Sequence, residues 1–453
     1  MSYCSKMKIF GQELSVIQNQ LNALCMNLLS WFLSYLPASL RSNPELRSPK
    51  KGEDCCVCID GPGGVDRLQV IALNKATANN KSGSLSDRIV TIGYNVKGYP
   101  APFTALPVNM ESLPADLVLV KVHYFSVNYA DVTIRWGLYE SALRYVGWPI
   151  VPGFDVSGVV EWAGRESGFE SGDKVFGFTL FGAYSSSLLV PGRQLRKIPL
   201  ALGTTNPALT LESAASLPAV AATALHAISQ AGGWPMAVTT VNKAALVHSA
   251  AGGVGGMLVQ MLKERGYHPI VGVVGSGHKV EFCKNLGADY VIDKSHTNLW
   301  AEAKKYSPSG YVAIFDANGV DTLSDSYEHL SRCGRLVTYG FHSNLPKASS
   351  LLSPLEWLKM IYRVIAMPKF EPMSLVLDSK AVLGFNLSFF ADEHELVRSY
   401  FEQIYVWVEE GKISVPACTV SDMKDIGRAH ELLQTGTTVG KIVMRVSVNA
   451  GNN

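Results

Sequence analysis

The feature that most constrains this chain is an alternation that begins near residue 244. Short apolar runs ("AALVHSA", "PIVGVVGS", "YVID", "VAIFDANG" and "RLVTYG") are separated by stretches that favour helix. Strands spaced by helices run parallel, because each crossover returns the chain to the same end of the sheet. Unbroken apolar runs also mean strands covered on both faces. The stretch predicts an α/β fold with a Rossmann-type, doubly wound parallel sheet over residues 208–370. "AVLGFNLSF" (381–389) offers a sixth strand.

The first run enters a glycine knot, "LVHSAAGGVGGMLVQMLKERG" (246–266), and then a helix. Ala251-Gly252-Gly253-Val254-Gly255-Gly256 fits the dinucleotide fingerprint G-x-G-x-x-G with alanine in first place. At such a turn, backbone N–H groups and the positive end of the helix dipole favour a pyrophosphate. Gly253 is expected to let the backbone approach the phosphate, and Gly256 to allow close helix–strand packing. A tight turn without a ligand is the competing reading. The motif's place, after the first strand of the series and opening a helix, favours the nucleotide.

An NAD site usually carries an acid after the second strand, bonding the ribose hydroxyl. "VVGSGHK" has none. Ser276 and Lys279 suit a 2′-phosphate, and Lys294 after the third strand adds charge, so NADPH is expected. The alternative for Lys279 is a solvated helix residue.

Upstream, residues 53–207 read as a barrel-like β domain. "CVCIDGPGGVDRLQVIAL" is strand, turn, strand; 74–90 is a polar loop; "DLVLVKVHYFSV", "SGVVEWAG", "KVFGFTLFG" and "YSSSLLV" are further strands. Residues 371–446 finish the nucleotide sheet and return to β, and 447–453 form a tail. Cys55-Cys56-x-Cys58 lacks metal-ligand spacing and a nearby histidine, so these cysteines are expected as small apolar strand residues. Scattered cysteines fit a reduced, intracellular chain. A net charge of +2 gives no reason to expect nucleic acid.

Residues 1–52 differ. Leu14, Ile17, Leu21, Leu24, Leu28 and Trp31 form one stripe of a helix over 12–36, followed by Pro37 and a basic linker. Its apolar part is shorter than the ~20 residues that span a bilayer. Packing on the body, contact with a membrane surface and organelle targeting all stay open.

Several stretches together resemble the medium-chain dehydrogenase/reductase superfamily over residues 53–446. "VNYADVTIRWGLY" is similar to its N-x-x-D…R-x-G-x-Y segment, and "PGFDVSGVV" to its G-x-E-x-x-G-x-V turn. "LPAVAATALHA" and "VHSAAGGVGG" resemble its quinone oxidoreductase branch. "YSPSG", "GRLVTYGFHSN" and "KAVLGFNLSFF" resemble the vesicle amine transport protein group within it.

The resemblance implies a GroES-like β-barrel catalytic domain beside the nucleotide domain, and a homodimer. The superfamily includes zinc enzymes. Their cysteine ligand falls at Asn128 and their histidine ligand at Phe154, neither of which suits Zn2+. The four-cysteine lobe is missing as well, so no metal is expected. Asn128 and Tyr139 are implied to face the nicotinamide and to donate to a developing oxyanion or enolate. Their alternatives are a turn cap and a core aromatic. Asp131 is expected as a helix cap. Thr223, Gly340, Phe385, Asn386 and Lys441 are implied to close around the cofactor, while His248 is expected as a core residue.

The expected activity is zinc-independent, NADPH-dependent reduction of a quinone or an α,β-unsaturated carbonyl in the cytoplasm. Two other readings stay open: an enoyl-thioester reductase, and a membrane-associated NADPH-binding protein with little turnover.

Overall fold

The computed structural model describes residues 49, 53–73, 89–92, 103–105, 113–198, 209–232, 243–344, 354–390 and 393–446. The stretch 12–36, most of the expected loop at 74–90 and the tail lie outside them.

In the β domain, β1 (Cys55–Cys58) and β2 (Gln69–Ala72) form an antiparallel pair, Cys55 opposite Ala72. All four β1 residues are buried, as apolar packing of the cysteines requires. A mixed sheet follows: β3 (Ile89–Ile92), β4 (Phe103–Ala105), β5 (Leu117–Val127), β6 (Asp155–Ala163), β7 (Lys174–Phe178), β8 (Ser187–Pro191) and β9 (Leu195–Lys197). Its strand order is β4-β3-β8-β5-β6-β7-β9. β3 starts at Ile89, inside the stretch expected as loop.

The nucleotide domain holds β10 (Ala245–Val247), β11 (Ile270–Val274), β12 (Tyr290–Asp293), β13 (Tyr311–Asp316), β14 (Leu330–Thr338) and β15 (Ala381–Gly384). Among the described residues they make one parallel sheet, ordered β12-β11-β10-β13-β14-β15. This is the doubly wound order, whose ligand crevice lies at the carboxyl ends of the strands where the order reverses, between β10 and β13. Every residue of β10 and β11 is buried. Ala245, Val247 and Phe315 pack under the helices Pro218–Gly232 and Gly253–Glu264; Leu246, Val271 and Ile314 form the core on the other face. Burying each large aliphatic side chain stabilises the fold by roughly 1.5–3 kcal/mol, and this two-sided burial is what the unbroken apolar runs encode.

The chain then returns to the β domain. β16 (Cys418–Asp422) runs parallel to β17 (Lys441–Arg445), which pairs antiparallel with β5 so that Ile442 faces Val127. That register sets Lys441 beside Asn128. Just before β17, the Gly440 N–H donates to the Ala251 carbonyl at 2.8 Å. The last strand therefore ties the glycine loop to the β domain.

Candidate active site

β5 ends at Val127, and Asn128 becomes the N-cap of the helix Tyr129–Arg135. The Asp131 carboxylate accepts the Asn128 backbone N–H at 2.8 Å, satisfying a donor at the helix start. It also accepts the Gly153 N–H at 2.9 Å and the Tyr184 hydroxyl at 3.0 Å. Burial nevertheless pushes the Asp131 carboxyl up to about 7.

The Asn128 side chain is held at both ends. Its Oδ1 accepts from Lys441 Nζ at 2.6 Å, and its Nδ2 donates to Asp155 Oδ2 at 2.8 Å. An ammonium only donates and a carboxylate only accepts, so the two partners fix which way the amide points. Asp155 is fully buried and also accepts the Ser126 hydroxyl and the Ala219 N–H, both at 2.6 Å. Ala219 lies in the first turn of Pro218–Gly232, so the carboxylate meets the positive end of a helix. Lys441, 4% exposed, also donates to the Val127 carbonyl at 3.1 Å and stands 3.5 Å from Asp155. Burial lowers its pKa, and Asp155 and Asp131 pull the other way. One turn along the same helix, the Thr223 hydroxyl donates to the Ala219 carbonyl at 2.6 Å.

Tyr139 starts the helix Glu140–Tyr145. Its hydroxyl donates across the domains to Asn386 Oδ1 at 2.9 Å. That oxygen also accepts the Ser388 N–H at 3.0 Å and the Ser388 hydroxyl at 2.8 Å. Burial raises the Tyr139 pKa above its ordinary value, so the phenol keeps its proton at neutral pH. Its ring meets Phe154 and Phe181 edge-on, with centroids 6.1 and 6.5 Å away. Phe154 in turn stacks on Phe178. A zinc ion does not fit these residues: Phe154 has no donor atom, and both ends of the Asn128 amide are engaged.

In the glycine loop, Gly252 is the N-cap of Gly253–Glu264. A Cβ on Gly253 would stand 2.8 Å from Lys441 Cδ and 2.9 Å from Val220 Cγ1. Gly253 thus makes room for the lysine stem. A Cβ on Gly255 would stand 2.3 Å from the Ser249 carbonyl oxygen, whereas one on Gly256 would meet the tip of Leu286 at 3.0 Å. The close helix–strand approach expected at Gly256 therefore belongs to Gly255, whose Cα faces rigid backbone rather than a flexible side chain. The left-handed residue of this turn is Ser249, at φ 54°, and not Ala251. A methyl group at 251 carries no backbone strain. Val254 is half-buried in the helix's first turn.

Gly340 follows β14, where a Cβ would lie 2.9 Å from the Ala317 carbonyl oxygen. The Phe385 ring meets His226 at 4.4 Å. Ser276 is half-exposed in an extended conformation after β11. Lys279 is largely buried, and its ammonium donates to the Gly436 carbonyl. Lys294 is exposed, its Cε 4.0 Å from the Cβ position on Gly275. The structure thus joins Asn128, Lys441 and the glycine loop, and separately Tyr139 and Asn386. Ser276, Lys279 and Lys294 flank the loop after β11. His248 is fully buried with Nε2 3.1 Å from the Ser326 hydroxyl, a core position.

Three residues escaped the sequence reading. Asp155 sits in "PGFDVSGVV" at the acidic place of the G-x-E turn, the one signal that marked it. Ser388 supports Asn386. Asp293, at the end of β12, sets Oδ2 3.4 Å from the Cβ position on Gly277. It is held by Ser295, whose hydrogen bonds pull its pKa down. A carboxylate from the third strand thus stands near the loop where none was expected from the second.

Two family models match the chain: "Alcohol dehydrogenase GroES-like domain" over residues 114–200 and "Zinc-binding dehydrogenase" over residues 253–399. The chain is 29% identical over 334 residues to the human synaptic vesicle membrane protein VAT-1 homolog, covering 73% of this chain and 79% of that one. It is 26% identical over 349 residues to the probable quinone oxidoreductase of Schizosaccharomyces pombe, covering 76% and 94%. Escherichia coli quinone oxidoreductase complexed with NADPH shares the fold at a TM-score of 0.63, 20% identity, and coverage of 86% and 100%. A structure described as CurK enoyl reductase does so at 0.63 and 18% identity, covering 87% and 100%. Among the described residues, no helix is long and apolar enough to cross a membrane. With quinone oxidoreductases and vesicle-protein homologues as its relatives, the chain belongs to the medium-chain dehydrogenase/reductase superfamily.

Proposed function

We propose that the protein is a zinc-independent oxidoreductase that uses NADPH to reduce a quinone or an α,β-unsaturated carbonyl. The observation that carries this reading is Lys441. Its stem fills the space left by Gly253, and its ammonium holds Asn128. The amide is thereby fixed beside the nucleotide loop.

The residues suit the cofactor. Backbone N–H groups of residues 253–255 would hold a pyrophosphate, with Ala251 and Gly252 lining the turn and the positive charge of Lys441 beside it. Ser276, Lys279 and Lys294 would meet the 2′-phosphate. Thr223, Gly340, Phe385 and Asn386 would border the nicotinamide half. When bound, the dihydronicotinamide supplies a hydride. The protein's own task is to stabilise and protonate the anion that results.

Asn128 keeps one Nδ2 hydrogen beyond its bond to Asp155, and Lys441 on Oδ1 polarises the amide so that this hydrogen is a better donor. The Tyr139 hydroxyl turns from Asn386 to the acceptor oxygen and gives up its proton there. Asn386 sets the starting position of that hydroxyl.

The reading includes a cytoplasmic homodimer. An enoyl-thioester reductase is the second reading, favoured by the fold shared with the structure of that description. NADPH oxidation in the presence of candidate acceptors is the direct test.

Cofactor choice has its own test. Lys279→Ala should cut the preference for NADPH over NADH about ten- to a hundredfold, since a hydrogen bond to a charged group is worth ~1.5–3 kcal/mol. Dissociation constants for both nucleotides measure it. An unchanged ratio would mean that the lysine serves only the Gly436 carbonyl.

A further inference from the structure

The Tyr139 hydroxyl rests on an oxygen that can only accept. Asn386 Oδ1 takes the phenol hydrogen at 2.9 Å and the Ser388 backbone N–H at 3.0 Å. A backbone N–H only donates, so it fixes the amide with its oxygen, and not its nitrogen, toward Tyr139. Once the phenol gives its proton away, two oxygens face each other with no hydrogen between them. An anion left in that state away from water is costly. Asn386 therefore holds the acid in its starting position but offers no donor to the tyrosinate that follows.

Two hydroxyls stand beside this contact, one from each domain. Ser141 lies two residues beyond Tyr139, in the first turn of the helix Glu140–Tyr145. Ser388 lies two residues beyond Asn386, in the short helix Leu387–Phe390. The Ser388 hydroxyl has one hydrogen and two acceptors in reach, Asn386 Oδ1 and Ser141 Oγ, each at 2.8 Å. One hydrogen serves one acceptor at a time, so this hydroxyl can change partner by rotating about a single bond. Ser141 is 0% exposed and Ser388 2%, so water does not supply hydrogen bonds on that side. Burial pushes the Tyr139 pKa up, and the side chains of Ser388, Asn386 and Ser141 pull it back. Both serines thus act on the phenol oxygen itself.

We propose that Ser388 and Ser141 donate to the tyrosinate formed when Tyr139 delivers its proton to the acceptor. This role rests on the proposed reductase activity. The O–H bond of Tyr139 breaks, and the proton bonds to the oxyanion that hydride addition creates on the acceptor. The phenol oxygen keeps the electron pair. The Ser388 hydrogen turns from Asn386 to that oxygen, and the Ser141 hydroxyl donates beside it. Neither serine gives up its own proton. Water that enters as the product leaves protonates the tyrosinate again.

Ser388→Ala and Ser141→Ala, each made in the full chain, test this with two readouts. In steady-state kinetics, kcat should fall about ten- to a hundredfold for Ser388→Ala, the worth of one hydrogen bond to a charged group. The acceptor KM and the NADPH dissociation constant should stay as in the parent. The second readout is 3-fluorotyrosine introduced at position 139, whose 19F resonance follows the ionisation of that phenol alone. Its titration midpoint should move to higher pH in both serine variants, because a lost donor disfavours the anion. Ser141→Ala should act in the same direction on its own, so the test stands even if one variant fails to fold. A lower kcat with an unmoved midpoint would overturn the proposal, since disturbed packing slows turnover without touching the phenol's ionisation. Parent-like kcat in both variants would overturn it as well. A midpoint that moves, with no acceptor reduced even by the parent, would support the contact and remove the reductase reading.

Discussion

Tyr139→Phe is expected to lower kcat for acceptor reduction by about 10²–10⁴-fold, the range for a positioned proton donor, while leaving NADPH affinity unchanged. The substitution removes one oxygen and keeps the ring that packs on Phe154 and Phe181. What it deletes is the bond to Asn386 and the transferable proton. Because burial raises the Tyr139 pKa, the phenol is protonated throughout the neutral range. Loss of the acid form should therefore not limit kcat below about pH 9, under the ordinary phenol pKa of ~10. Steady-state kinetics with nucleotide binding in parallel separate the outcomes. A variant as fast as the parent would make Tyr139 a packing residue.

The second large effect is expected at Lys441. Lys441→Met removes the cation from a buried pair and strands Asp155, which is fully buried. Breaking such a pair costs about 3–5 kcal/mol, because the surviving charge loses its counter-ion away from water and keeps only the hydrogen bonds from Ser126, Asn128 and Ala219. Asn128 loses its Oδ1 donor in the same step. Denaturant titration should show the loss, and NADPH affinity should fall with it. Asp155→Asn combined with Lys441→Met should recover much of the stability, since no charge is left stranded, but not the affinity. Separating the two in this way distinguishes a residue that holds the nucleotide from one that only holds the fold. If the double variant binds NADPH as well as the parent, Lys441 has no part in the nucleotide site.

The nucleotide sheet was legible because its signal is local. The central runs, β10 and β11, are strands with both faces covered, and the spacing between the first five runs has room for one helix. The sixth strand was legible only as an apolar run: it is half-buried, follows two helices, and stops at Gly384, where the chain turns into the short helix Leu387–Phe390. The pairing of Asp155 with Lys441 was not legible. It joins residues 286 positions apart, and it exists because β17 enters the sheet beside β5 in a particular register. Gly255 and Gly256 could not be told apart, because which one faces backbone depends on the rotation of the helix over Ser249 and Ala250. Asp293 was not legible because the acid of the fingerprint follows the second strand, whereas this carboxylate arrives from the third.

The most direct measurement is NADPH oxidation by the full chain against a panel of quinones and α,β-unsaturated carbonyls, with zinc removed by chelation. Saturable oxidation with at least one acceptor class is expected, insensitive to the chelator and faster with NADPH than with NADH. Tight NADPH binding with no oxidation across the panel, or activity that vanishes with the chelator, would contradict it.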